Sequence, residues 1–201
     1  MSAGELIPTA GLIKMDMALV PMGSGRMGAN GNSIIGRVGP TRWRLQVVTD
    51  YLDMDEARIW DAWLANRIHL GESFTAWRLF RLNPQGALGT ADGAVTLTVD
   101  AANSRVSLGG VGPYVAMPGD MISYRTDTNG YYLGMVQASV AAISGTASNI
   151  PMIPRPLAKH ATTPAVRRVQ ALGEFELATP LEPFEDYTNR QLSFEATQVL
   201  R

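Results

Sequence analysis

The chain has 201 residues, a formal net charge of −1, 46% hydrophobic and 17% charged residues, and no cysteine. That length buries a real core in one compact fold or two small modules, and the missing cysteine excludes a disulfide framework, a thiolate metal site and a cysteine nucleophile. Near-neutral charge excludes a dedicated nucleic-acid binder, whose affinity rests on Lys and Arg contacts to phosphates. A charged fraction below the roughly 25% of ordinary soluble domains predicts surface buried against other subunits.

Residues 1–10 carry Glu5 and no basic residue, and Lys14 and Asp16 interrupt the apolar run that follows. This pattern matches no targeting signal and no span of roughly 20 apolar residues, so a soluble, unexported chain is expected. Residues 12–20 alternate, with Ile13, Met15, Met17 and Leu19 forming a wholly apolar side, which predicts a half-buried strand. Residues 22–40 are rich in Gly, Asn and Ser and read as a long loop. The strand pattern resumes over 42–49, with Trp43, Leu45 and Val47 on one face and Arg44 and Gln46 on the other.

A helix is predicted next. Asp53 followed by Glu56 has the capping-box spacing, Ala57, Trp60, Trp63, Leu64 and Ile68 form an apolar face, and Gly71 supplies a stop. Arg58, Asp61 and Arg67 are its expected polar positions. A strand is expected over 74–82. After Asn83-Pro84 the texture changes to short strands: Val95, Leu97 and Val99 alternate with threonines, 105–108 completes a hairpin, and 121–124 and 131–136 flank Asp127-Thr128-Asn129-Gly130. Such strands at regular spacing predict a small β-barrel. Residues 150–164, with four prolines, read as a connector, and 171–177 and 190–200 read as closing strands. The fold class expected is mainly β with one helix.

The chemistry-bearing patterns are sparse. Gly23-Ser24-Gly25-Arg26-Met27-Gly28 matches G-x-G-x-x-G, but Asn30-Gly31-Asn32-Ser33 opens no helix on which a pyrophosphate would sit, so a loop is the expected role. His69 and His160 lack a second ligand at i+4 spacing. Asp127, Asn129 and Gly130 resemble the start of a calcium loop whose twelfth position is Ala138 instead of Glu. Glu174 and Glu176 share a strand face opposite Phe175 and Leu177, as on any solvated strand, and Glu182, Glu185 and Asp186 lie among prolines. Arg37, Arg42 and Arg44, and the pair Arg167-Arg168, lack interleaved aromatics and are expected in salt-bridged faces or subunit contacts. No catalytic, cofactor-binding or metal-binding residue is assigned, and no enzyme is expected, because no set of nucleophile, base and orienting group emerges.

The residue order resembles the distal tail proteins of long-tailed phages and of phage-derived gene transfer agents. The resemblance rests on Gly39-Pro40-Thr41-Arg42-Trp43-Arg44, the helix motif Met54-Asp55-Glu56-Ala57 with Trp60, Pro118-Gly119-Asp120-Met121-Ile122 followed by Tyr131-Tyr132-Leu133, and Ser193 to Glu195 near the end. It implies a tail-tube-like β-sandwich with one flanking helix, formed by residues 1–84 and 166–201, and an inserted small barrel of oligosaccharide/oligonucleotide-binding type over 85–165. It further implies a virion protein of the tail tip, a ring of six copies joining the tail tube to the hub or baseplate. DNA would be at most a transient cargo in the lumen, with no membrane contact and no cofactor. Two alternatives stay open: a glycan-binding module using Tyr114, Tyr124, Tyr131 and Tyr132, and a tail-tube or head–tail joining protein.

Overall fold

The computed structural model describes residues 5–21, 23–27, 33–37, 40–79, 82–128, 130–158, 165–178 and 190–200. Strands β1 (Glu5–Leu6), β2 (Leu12–Val20), β3 (Gly23–Met27), β4 (Ser33–Arg37) and β5 (Arg42–Leu52) precede helix α1 (Met54–Leu70). Then follow β6 (Phe74–Trp77), β7 (Thr96–Asp100), β8 (Arg105–Gly109), β9 (Val115–Ala116) and β10 (Met121–Arg125). The last are β11 (Tyr131–Val136), β12 (Val140–Ala141), β13 (Thr146–Ile153), β14 (Leu172–Leu177) and β15 (Arg190–Gln198). The fold is mainly β, with two main sheets: a six-stranded sheet in the order β1-β6-β14-β15-β5-β2 and a five-stranded sheet in the order β10-β11-β13-β8-β7. Both ends of the chain build the first sheet and the middle builds the second.

The apolar alternation of β2 and β5 decides how they pair. Met15 and Met17 stand beside Val47 and Leu45 in an antiparallel ladder, and all four are buried. The expected inward position of Ile13 is not realised. The register shifts between Leu12 and Lys14, the mark of a β-bulge, so Leu12 turns toward the core and Ile13 is left 48% exposed. A period-two reading cannot foresee that extra residue.

The helix forms where the capping residues placed it. The Asp53 carboxylate accepts from the Asp55 and Glu56 N–H groups, the Glu56 side chain accepts from Asp53 N–H, and Gly71 ends the helix at φ 58°. Its tryptophans lie on β15 and β6: Trp60 meets Phe194 edge-on with ring centroids 6.1 Å apart, and Trp63 meets Phe74 at 5.0 Å. Arg67 and Ile68 exchange their expected places. Arg67 falls on the arc of Trp60 and Trp63 and is buried, while Ile68 lies further round and is 46% exposed. Arg67 is accommodated there because Glu5, Glu72 and the Ser73 carbonyl all accept from it.

The second sheet encloses its own apolar cluster, with Leu97, Val106, Leu108, Ile122, Ile150 and Met152 among its members. The hairpins expected at 95–108 and 121–136 both form. The barrel does not close: β7 and β10 are the two ends of the five-strand order, and no ladder joins them among the described residues. One reason is that β10 is already engaged on that side, where Ser123 exchanges backbone hydrogen bonds with Arg167 on the returning chain. Residues 146–153, expected within or beside a connector, form β13 instead. A break in register between Ala147 and Ile150 absorbs the irregularity, and Pro151, lacking an N–H, contributes its carbonyl to Gln137. The loop expected over 22–40 contains the antiparallel hairpin β3–β4, from Gly23 opposite Arg37 to Met27 opposite Ser33. No described helix is long and apolar enough to cross a membrane.

Tyr124 and Tyr132 stack with centroids 4.7 Å apart inside this second core, and both are fully buried. Tyr124 donates to the Leu157 carbonyl at 2.9 Å, and Tyr132 donates to the Pro154 carbonyl. Burial pushes both hydroxyls above the ordinary tyrosine range. The folded state therefore holds these protons after the unfolded chain would release them near pH 10, so the stability is intact below about pH 10 and falls as pH rises above it. Urea midpoints measured from pH 8 to 11.5 should drop at the alkaline end, and less steeply for Tyr124→Phe. Equal slopes would mean that these hydroxyls reach water in the native state.

Candidate interaction surface

The two sheets are joined by polar groups with little freedom to move. Trp43 Nε1 and Gln198 Nε2 both donate to the Leu133 carbonyl, at 3.1 and 3.0 Å, and all these residues are buried. Gln198 Oε1 also accepts from Trp43 N–H at 3.4 Å, so one glutamine ties β15 to β5 and to β11. A second contact crosses through Glu174. Its carboxylate accepts from the Ser73 hydroxyl and lies against Gly130 so closely that a Cβ there would come within 1.8 Å of Oε2.

The chain's exit into the second sheet and its return are clamped together. Arg168 is buried and donates from Nε to Asp92 at 2.8 Å, from Nη1 to the Leu88 carbonyl at 2.7 Å, and from Nη2 to the Thr90 carbonyl. Asp92 accepts in turn from the Arg168 and Val169 N–H groups. The guanidinium also lies 4.7 Å from the centre of the Tyr114 ring. Beside this clamp is a cleft of about 380 Å³ lined by Asn83, Gln85, Asp120 and Arg168 among others. Asp120 accepts there from the Gln85 and Met117 N–H groups, at 2.7 and 2.9 Å. The charged groups of the cleft are thus engaged with the chain itself, which makes it a seam between crossing segments.

The residues singled out in the sequence are scattered. Tyr114, Tyr124 and Tyr132 are core residues, so they offer no platform on which a sugar would stack. Only Tyr131 is part-exposed, and the Arg167 guanidinium lies 6.0 Å from its ring centre. Glu174 and Glu176 share one side of β14 as expected, and both are engaged. Arg44 pairs with Glu195, while Arg42 has no acidic partner among the described residues. His69 is exposed in the last turn of α1, and Asp127 lies exposed in the turn after β10. Asn129, His160, Glu182, Glu185 and Asp186 lie outside the described residues. Among the described residues, no cluster of His, Cys, Asp or Glu is arranged to hold a metal. Gly23 and Gly25 belong to a strand, so the G-x-G-x-x-G match does not open a helix.

What remains open is the periphery of the six-stranded sheet. The nine-residue β2 forms one edge, with no neighbour on its outer side among the described residues. The hairpin β3–β4 grows from the end of the β2–β5 pair and forms a separate two-stranded sheet. At the end of the β2–β5 pair away from the hairpin, where β2 begins and β5 ends, stand Ile13, Tyr51 and Met54, which are 48%, 68% and 55% exposed. Sequence reasoning located the edge strand but missed the hairpin, because glycines at 23, 25 and 36 mask a strand pattern. No protein-family model matches the chain, and no curated protein matches it.

Proposed function

We propose that this chain is a structural component of a phage or gene-transfer-agent tail tip, a ring-forming distal tail protein that joins the tail tube to the hub or baseplate. The observation that carries the reading is a helix-backed six-stranded sheet whose long edge strand has no outer neighbour among the described residues, with a two-stranded arm growing from it. Open edges of this length invite pairing with another chain, and an isolated hairpin is marginally stable in water. Both features are accounted for when neighbouring copies supply the missing contacts. The low charge of the sequence and the exposed apolar side chains near the edge support the same reading. The second sheet would then be an outward module held at a fixed angle by the Leu133 and Arg168 contacts. It also favours the tail tip over a plain tube protein, which needs no such insertion. Burial of three of the four tyrosines removes the feature on which a glycan-binding module rested.

The test is native mass by light scattering, with negative-stain images of the same peak. The expected result is a closed ring of about six copies with a central hole. A protein that stays monomeric at every concentration accessible overturns the reading.

A further inference from the structure

Charge is segregated along β5. Residues 17–49 contain Arg26, Arg37, Arg42 and Arg44 and no acidic residue, whereas residues 50–56 contain Asp50, Asp53, Asp55 and Glu56 and no basic one. The first group lies on the β3–β4 arm and at the start of β5; the second lies at the far end of β5 and in the first turn of α1. Eleven extended residues separate the two ends of β5, which sets them about 33 Å apart. Some of these charges are paired locally. Glu195 cancels Arg44 at the arm end and Arg58 pairs with Asp55 at the other, where Arg190 also enters β15 opposite Leu52. By formal charge, residues 17–49 sum to +4 and residues 50–56 to −4.

We propose that the β3–β4 arm of one copy docks against the acidic helix-start end of a second copy, head to tail. This deepens the ring reading and rests on it by naming the two surfaces that meet. Among the described residues the arm pairs only with itself, its strands carry no acid, and a two-stranded ribbon gains stability from a third partner. A second copy supplies that partner with the opposite sign. A contact of arm with arm would set like charges together, so the complementarity selects arm against helix-start end; repeated in one direction, that contact is of the heterologous kind that closes into rings or runs into open chains.

Two charge-reversed proteins test this: Arg26→Glu with Arg37→Glu on the arm, and Asp50→Lys with Asp55→Lys at the other end. Self-association is read by sedimentation velocity and light scattering, and circular dichroism confirms that each variant is folded. Each reversed protein alone should associate at least about tenfold more weakly than the parent, and salt should weaken the parent. An equimolar mixture of the two should regain assembly, because every arm then meets an end of opposite sign. Where a reversed protein folds poorly, the parent carries the test: association that does not weaken as salt is raised overturns the inference. Rings that form regardless of the reversals overturn this inference and leave the ring reading standing. Charge-dependent open chains without closure overturn the ring and keep the docking mode. A monomeric parent overturns both.

Discussion

Replacing Trp60 by alanine should cost about 3–5 kcal/mol of folding stability, measured as a shift in the urea unfolding midpoint at constant slope. Trp60 is fully buried between α1 and the first sheet, 5.8 Å from the Trp63 ring centre and 6.1 Å from that of Phe194. Its indole N–H also donates to the Ala10 carbonyl at 2.9 Å, fastening the segment between β1 and β2 to the helix. Truncation therefore opens a cavity beside the Trp63 and Phe194 rings and leaves a carbonyl without its donor. Trp60→Phe separates the two losses: it keeps most of the volume, removes the hydrogen bond, and should cost about 1–3 kcal/mol. If the alanine variant lost less than about 1 kcal/mol, the helix would not be packed as described.

The same helix shows which parts of a fold are readable in a sequence. Its start and stop are local chemistry: Asp53, Glu56 and Gly71 satisfy backbone groups within their own turns, so their spacing alone places the helix ends. Its buried face was legible through the tryptophans, but not through Arg67. That residue is buried because Glu5, 62 positions away, meets its guanidinium, and a pairing across such a distance leaves no local signal. The bulge at Ile13 is hidden for a similar reason. The alternation continues unbroken through the sequence, and only the partner strand's register shows that one residue is extra.

The candidate surface was less legible than the core. Apolar spacing reports burial, and most of the strands it marked are present because each has an inward face to pack. The arm has no such requirement, since it forms a separate two-stranded sheet, and its glycines weaken the propensity that would otherwise betray it. The tyrosines misled in the opposite direction. An aromatic residue on a hairpin is compatible with a binding face or a core face, and Tyr124 and Tyr132 took the core by finding carbonyl partners for their hydroxyls. The basic pair at 167 and 168 divides by neighbours that sequence cannot supply: Arg167 is exposed over Tyr131, whereas Arg168 is enclosed.

Arg168 is the other residue whose loss should be severe. Arg168→Met keeps much of the stem but strips Asp92 of its cation and the Leu88 and Thr90 carbonyls of their donors, all at one buried point. Removing one partner of a buried ion pair leaves the other poorly compensated, and a loss of about 3–5 kcal/mol is expected. The damage should also be localised. Asp92 lies on the segment entering the second sheet and Arg168 on the segment leaving it, so the pair fastens together two stretches 76 residues apart. Amide hydrogen exchange in Arg168→Met should therefore accelerate most over residues 88–94, beyond any general loss of protection, while α1 and β5 change least. Asp92→Asn should be milder, about 1–2 kcal/mol, because the amide oxygen still accepts from the returning backbone. Arg168→Lys should not rescue the methionine variant, since a single ammonium on a shorter reach cannot satisfy a carboxylate and two carbonyls in one plane. Full stability in the lysine variant would mean that charge alone holds the crossover and that the fork-like geometry of the arginine contributes nothing.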